Sequence, residues 1–243
     1  MMQRQLQRLT TRNIRKLVPD KIDTILLPVG TVEAHGAAAL GTDNFIPESL
    51  AEYLADKIDA LIAPTVSYGI TKSLYGHPGS FTIETDNFIK YVMDILKSFS
   101  DNGFEKIIVL NGHGGNNSAL KEIAQRFCRM THTKIAVIHW WEVCGEMTRE
   151  FYGEHGGHGA LDETAMVQAI DESLVDKSAY EDDMAYYYHP GANVYPVPGS
   201  ILLYKENEGL PDFDADKSRQ YQAKVFAKVE ELLKLIIKRW EKI

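Results

Sequence analysis

Glu33, His35 and Asp43 fall in one short segment, Pro28-Val29-Gly30-Thr31-Val32-Glu33-Ala34-His35-Gly36 through Gly41-Thr42-Asp43. Glu33 and His35 are two positions apart, so in an extended chain their side chains point the same way. Asp43 is expected to return toward them on a glycine-rich loop. A hard carboxylate donor, an imidazole nitrogen and a second carboxylate able to bridge are what a divalent metal ion requires. The segment therefore predicts a metalloenzyme.

Two further polar clusters are of the same kind. His113 lies in Asn111-Gly112-His113-Gly114-Gly115-Asn116-Asn117, and His155-Gly156-Gly157-His158-Gly159-Ala160-Leu161-Asp162-Glu163-Thr164 adds histidines and acids. Each has a plainer reading. A lone histidine in a glycine-rich loop serves as a turn residue, the Gly112–Asn116 loop could be a phosphate-binding nest, and Glu163 suits a first helical turn.

The elements that must position these residues alternate along the chain. Apolar runs at Ile25–Val29, Ala60–Val66, Lys106–Leu110 and Lys134–His139 read as buried strands. Helices are predicted over Pro47–Ile58, Asp86–Asn102, from Ser118, over Asp162–Ile170 and over Ala215–Trp240, with a loop between Ser67 and Ser80. This order predicts one α/β domain over residues 1–243, a mostly parallel sheet flanked by helices on both faces. Ligands of such sheets bind outside the carboxyl ends of the strands. Glu33 and His35 follow the first strand, His113 the third, and the His155–Glu163 cluster the fourth, so all converge on one edge. That convergence favours a shared site over the plainer readings.

Composition narrows the function classes. The 243 residues carry a net charge of −8, which argues against a nucleic-acid or anionic-membrane partner. No apolar run approaches the ~20 residues needed to span a bilayer. Cys128 and Cys144 form no CxxC pair or disulfide framework, in keeping with a reducing cytoplasm. The early basic residues, Arg4, Arg8, Arg12, Arg15 and Lys16, resemble a transit peptide in charge, but the first strand follows so closely that they read as a short N-terminal helix.

The motifs together resemble the creatininase (creatinine amidohydrolase) family. The matches are Pro28 to Gly36, Leu40-Gly41-Thr42-Asp43, Asn111 to Asn116 and His158-Gly159-Ala160 with Glu163-Thr164, in the family's order, with Pro78-Gly79-Ser80 echoing a weaker element. The resemblance implies a three-layer α/β/α fold and two divalent ions, Zn, Mn or Fe. Glu33, Asp43 and His113 would hold one, His35, Asp43 and Glu163 the other, with Asp43 bridging. Such a pair would activate water for attack on a small cyclic amide or formylamide, with His158 as the proton donor to the leaving nitrogen. Family members acting on a sugar-like cyclic ketone, by C–C cleavage, or on a peptide amide give alternative activities. A metal-free binding protein on the same fold is a third. The family also implies a homo-oligomer, often a hexamer, with a small-molecule substrate.

Two departures point away from creatinine itself. Gly115 stands where creatinine hydrolases carry an acid, and Ala37-Ala38-Ala39 replaces the family's Pro-His-Leu-Pro. Substrate contacts are expected instead from Tyr75, His77, Trp140, Trp141 and His155, with Glu154 nearby. Residues Tyr186 to Tyr204, containing Pro190, Pro196 and Pro198, read as a long aromatic loop, a lid or a subunit contact.

Overall fold

The computed structural model describes residues 2–189 and 191–243, so Pro190 lies outside the described residues. The elements run α1 (Thr11–Leu17), β1 (Thr24–Val29), α2 (Thr42–Ala55), β2 (Ala60–Ile62), α3 (Thr85–Asp101), β3 (Lys106–Asn111), α4 (Asn117–Met130), β4 (Lys134–His139), α5 (Trp140–Tyr152), β5 (Gly157–His158), α6 (Leu161–Ile170), β6 (Ala185–Tyr187), β7 (Ile201–Leu203) and α7 (Ala215–Trp240). The main sheet is parallel, in the order β2-β1-β3-β4. No helix among the described residues is long and apolar enough to cross a membrane.

Alternation along the strands divides the apolar residues between two cores. Leu26, Ile108 and Leu110 face the helices α2, α5, α6 and α7, where Leu50, Leu54, Met166, Tyr221 and Val225 are buried. Ile25, Leu27, Ile107 and Val109 face α3 and α4, meeting Phe88, Val92, Leu120 and Phe127. Both faces of the sheet are thus covered, as the continuous apolar runs required. Each fully buried Leu or Ile contributes roughly 1.5–3 kcal/mol. The register sets Val29, Asn111 and His139 level with one another, so the segments after β1, β3 and β4 leave from one edge.

The structure differs from the sequence expectation in four places. The second apolar run is a strand only over Ala60–Ile62, and Pro64, which cannot donate to a ladder, lies just beyond it. The helix expected from Pro47 starts at Thr42, which places Asp43 in a first helical turn instead of a loop. Proline lacks an N–H for the carbonyl four residues back, here that of Asp43. That carbonyl packs instead over Gly30 and Gly112, in the space where a β-carbon on either would sit. Helix α5 was not expected at all: it starts directly at Trp140 with no intervening loop, its N-cap being the last residue of β4. The supposed aromatic loop contributes β6 and β7, which form a second small sheet with β5 in the order β5-β7-β6.

Candidate metal centre

Glu33, His35, Asp43, His113 and Glu163 come together at the carboxyl edge of the main sheet, each at most 7 % exposed. The loop after β1 supplies Glu33 and His35, α2 supplies Asp43, the turn after β3 supplies His113, and α6 supplies Glu163. Asp43 is central. Its Oδ1 lies 2.9 Å from His35 Nε2, and its Oδ2 lies 2.9 Å from His113 Nδ1. Glu33 Oε1 lies 3.0 Å from the same His113 nitrogen, while Glu163 Oε2 lies 3.5 Å from His35 Nε2. Two clusters of ligating atoms result, Glu33–Asp43–His113 and His35–Asp43–Glu163, with Asp43 in both.

Backbone carbonyls fix which imidazole nitrogen faces inward. His35 Nδ1 donates to the Glu33 carbonyl at 2.9 Å, and His113 Nε2 donates to the Ile70 carbonyl at 3.0 Å. A carbonyl only accepts, so each ring turns its other nitrogen toward carboxylate oxygens. A nitrogen lone pair held at 2.9–3.0 Å from a carboxylate oxygen, as in both rings, requires a cation between them, either a proton or a metal ion. Without metal, protons fill the role. Burial works against a charged His35, yet Asp43, Glu163 and Glu33 raise its pKa to about 10. His113 is likewise raised, against burial, by Glu33 and Asp43. The same pairings hold the Asp43 carboxyl well below its ordinary range despite burial. Burial leads the opposite shift of Glu163, whose carboxyl is raised well above the usual value.

The residues fit divalent metal on two observations. Glu33 Oε2 and Asp43 Oδ2 are buried with no hydrogen-bond donor assigned to them among the described residues, although Asp43 Oδ2 lies 2.9 Å from His113 Nδ1. The donors are three carboxylates and two neutral imidazoles, a set suited to Zn, Mn or Fe. A third cluster, Glu33–His35–His158, brings in the expected proton carrier. His158 Nε2 donates to the Ala34 carbonyl at 2.8 Å, leaving Nδ1 3.5 Å from Glu33 Oε1 and 4.0 Å from Glu163 Oε2. Burial and the neighbouring His35 push the His158 pKa down to about 4.

A cavity of about 650 Å³ opens on the cluster, with Glu33, His113, His158 and Glu163 in its wall. Of the expected substrate contacts, Trp141 and His155 line it. Trp140 does not: it is 1 % exposed in the core beside α7, so its expected substrate role is corrected to packing. Tyr75 and His77 are also outside the wall. Tyr75 is 69 % exposed, and His77 is tied to the Val197 carbonyl at 2.8 Å. Ala37–Ala39 lie away from the cavity too, bonded through their backbone to Leu174 and Asp176. Gly115 does line it, and its backbone is packed so closely on the Ile70 carbonyl and His113 Nε2 that no side chain fits there. Sequence reading missed Thr148 and Arg149 in the wall, and it gave no individual role to Asp162, Tyr188 and Tyr204, which also line it. A signal for the first two was present in the periodic apolar residues Val143, Met147 and Phe151 of α5.

The chain is similar to several known proteins. The creatininase family profile, described as creatinine amidohydrolase, matches residues 7–212. The creatinine amidohydrolase of Pseudomonas putida is 27 % identical over 194 residues, covering 71 % of this chain and 74 % of that protein. The 3-dehydro-scyllo-inosose hydrolase of Thermotoga maritima is 36 % identical over 110 residues, 44 % of this chain and 35 % of the relative. The mycofactocin precursor peptide peptidase of Mycolicibacterium smegmatis is 33 % identical over 118 residues, 46 % of each chain. Among solved structures, a mutant creatininase superposes with a TM-score of 0.81 at 19 % identity, covering 96 % of this chain and 98 % of the other. A mutant creatininase of Zn–Zn type gives 0.76 at 22 % identity with the same coverage.

Proposed function

Because the chain belongs to the creatininase family, we propose that it is a dinuclear-metal amidohydrolase that hydrolyses a C–N bond of a small cyclic amide or formylamide. The observation that carries this reading is the division of Asp43, one oxygen to each histidine at 2.9 Å, within two three-residue clusters. Glu33, Asp43 and His113 would hold one ion and His35, Asp43 and Glu163 the other. Divalent ions at this place supply a lowered water pKa and a polarised carbonyl. The Zn–Zn type of the superposing creatininase supports a pair.

The chain's own residues do the remaining work. Carbonyl anchors on His35, His113 and His158 orient the rings before any substrate arrives. His158 is neutral at pH 7, with Nδ1 facing the carboxylates. It takes a proton at Nδ1 from the attacking water and delivers it to the leaving nitrogen, so it is base first and acid second. A cavity of about 650 Å³ suits a small molecule, and Trp141 gives it one flat wall. The same reading carries the single domain, a cytoplasmic location and a homo-oligomer, which size measurement in solution tests.

Elemental analysis after reconstitution with Zn²⁺, Mn²⁺ or Fe²⁺ tests the metal pair. Assay of ammonia, formate and ring-opened products over cyclic amides and formamides tests the reaction. The second reading is C–C cleavage of a cyclic sugar-like ketone, favoured by the 36 % identity to the inosose hydrolase. Turnover of an inosose in the same panel, with no C–N substrate cleaved, would decide for it.

A further inference from the structure

Helix α6 opens with two adjacent carboxylates, and only one of them belongs to the metal clusters. Glu163 Oε2 accepts the Gly159 N–H at 2.6 Å, and Asp162 Oδ1 accepts the Gly157 N–H at 2.9 Å. The residue between those two amides is His158. We propose that Asp162 is a positioning residue that holds His158 in register through the Gly157 amide. The proposal rests on the reading above in which His158 carries the proton.

Three observations support it. Asp162 is 5 % exposed and stands outside every ligand cluster among the described residues. A buried carboxylate beside another buried carboxylate is costly, and its Oδ1 accepts from the backbone amide next to His158. Second, the loop is shaped to the carboxylate. A β-carbon on Gly156 would overlap the Asp162 carboxyl group, so the chain lies flat upon it only because glycine is there. Third, the other constraints on His158 are short-range and few. The pairing of β5 with β7 fixes Gly157 against Leu203 and His158 against Leu202. The Ala34 carbonyl fixes the ring tip. A strand of two residues has little ladder of its own, so loss of the Gly157 anchor would let His158 Nδ1 drift from Glu33 and Glu163. A charge-assisted N–H···carboxylate bond is strong enough to prevent this.

The test compares wild type, Asp162→Asn and Asp162→Ala. Amide hydrogen exchange at Gly157, read by NMR on the full chain, needs no substrate. Slow exchange in wild type and Asp162→Asn is expected, since the Asn oxygen accepts the same bond, with fast exchange in Asp162→Ala. On the best substrate from the amide and formamide panel, Asp162→Ala should lower kcat about 10- to 100-fold, with metal content unchanged. Asp162→Asn should restore kcat to within about threefold of wild type, the residual reflecting a neutral acceptor. Unchanged Gly157 exchange in Asp162→Ala, or Asp162→Asn as slow in turnover as Asp162→Ala, overturns the proposal. If Asp162→Ala does not fold, Asp162→Leu, which keeps the side-chain volume but has no acceptor, takes its place in the same comparison. A wild type that binds metal but cleaves no C–N bond defeats the proposed function instead, and the exchange experiment remains valid.

Discussion

The main-chain carbonyl of Asp43 occupies the space that a β-carbon on Gly112 would need. The contact joins the carboxylate residue shared by the two clusters to the end of β3, and it exists because Pro47 leaves that carbonyl without its helical donor. Gly112→Ala must push α2 away from the sheet and carry Asp43 with it. We expect metal affinity to fall about 10- to 100-fold, and the melting temperature to drop, measured by metal titration and calorimetry. Wild-type affinity in Gly112→Ala would show that the packing does not position Asp43.

Asp43→Ala and His158→Ala should separate binding from turnover. Asp43 serves both clusters, so Asp43→Ala loses both ions and all activity. His158→Ala keeps its metal, because the five other residues are intact, and loses about 10²- to 10⁴-fold in turnover. Metal content and kcat measured on the same preparations check both. Near-normal kcat in His158→Ala would reassign the proton carrier.

The two neighbouring tryptophans should behave oppositely. Trp140 is a core residue, so Trp140→Ala costs roughly 3–5 kcal/mol of stability. Trp141 lines the cavity, so Trp141→Ala changes KM with a much smaller loss of stability. Denaturant titration and steady-state kinetics distinguish them.

Metal binding should release protons. In the metal-free protein His35 holds its proton up to about 10, against an ordinary 6.5. A raised histidine pKa stabilises the fold fully below about 6.5 and ceases to do so as pH rises through about 10. The metal-free protein should therefore lose melting temperature over that window. At pH 8 an ion binding at His35 must displace that proton, so affinity should increase with pH. Calorimetric titration in buffers of different ionisation heat reads the release; binding with no proton release at pH 8 would contradict it.

The proposed metal ligands were legible because motif and strand edge coincide. Glu33, His35 and His113 follow β1 and β3, where continuous apolar runs locate the strand ends. The surroundings were harder to read. Asp43 looked like a loop residue because proline ordinarily marks a first turn, and only tertiary contact with Gly30 and Gly112 reveals a helix running through Pro47. Helix α5 was hidden by the absence of a loop after β4, which took Thr148 and Arg149 of the cavity wall with it. Strands β5 and β7 have two and three residues, too short for any periodicity, and their pairing is long-range. Trp140 and Trp141 look equivalent in sequence. Only the helical phase set by α5 turns one into the core and the other to the cavity.

Metal stoichiometry of the purified, reconstituted protein tests the central claim most directly. The account predicts about two divalent ions per chain, both lost in Asp43→Ala. Less than about one ion per chain, after reconstitution with Zn²⁺, Mn²⁺ and Fe²⁺ in turn, would contradict it.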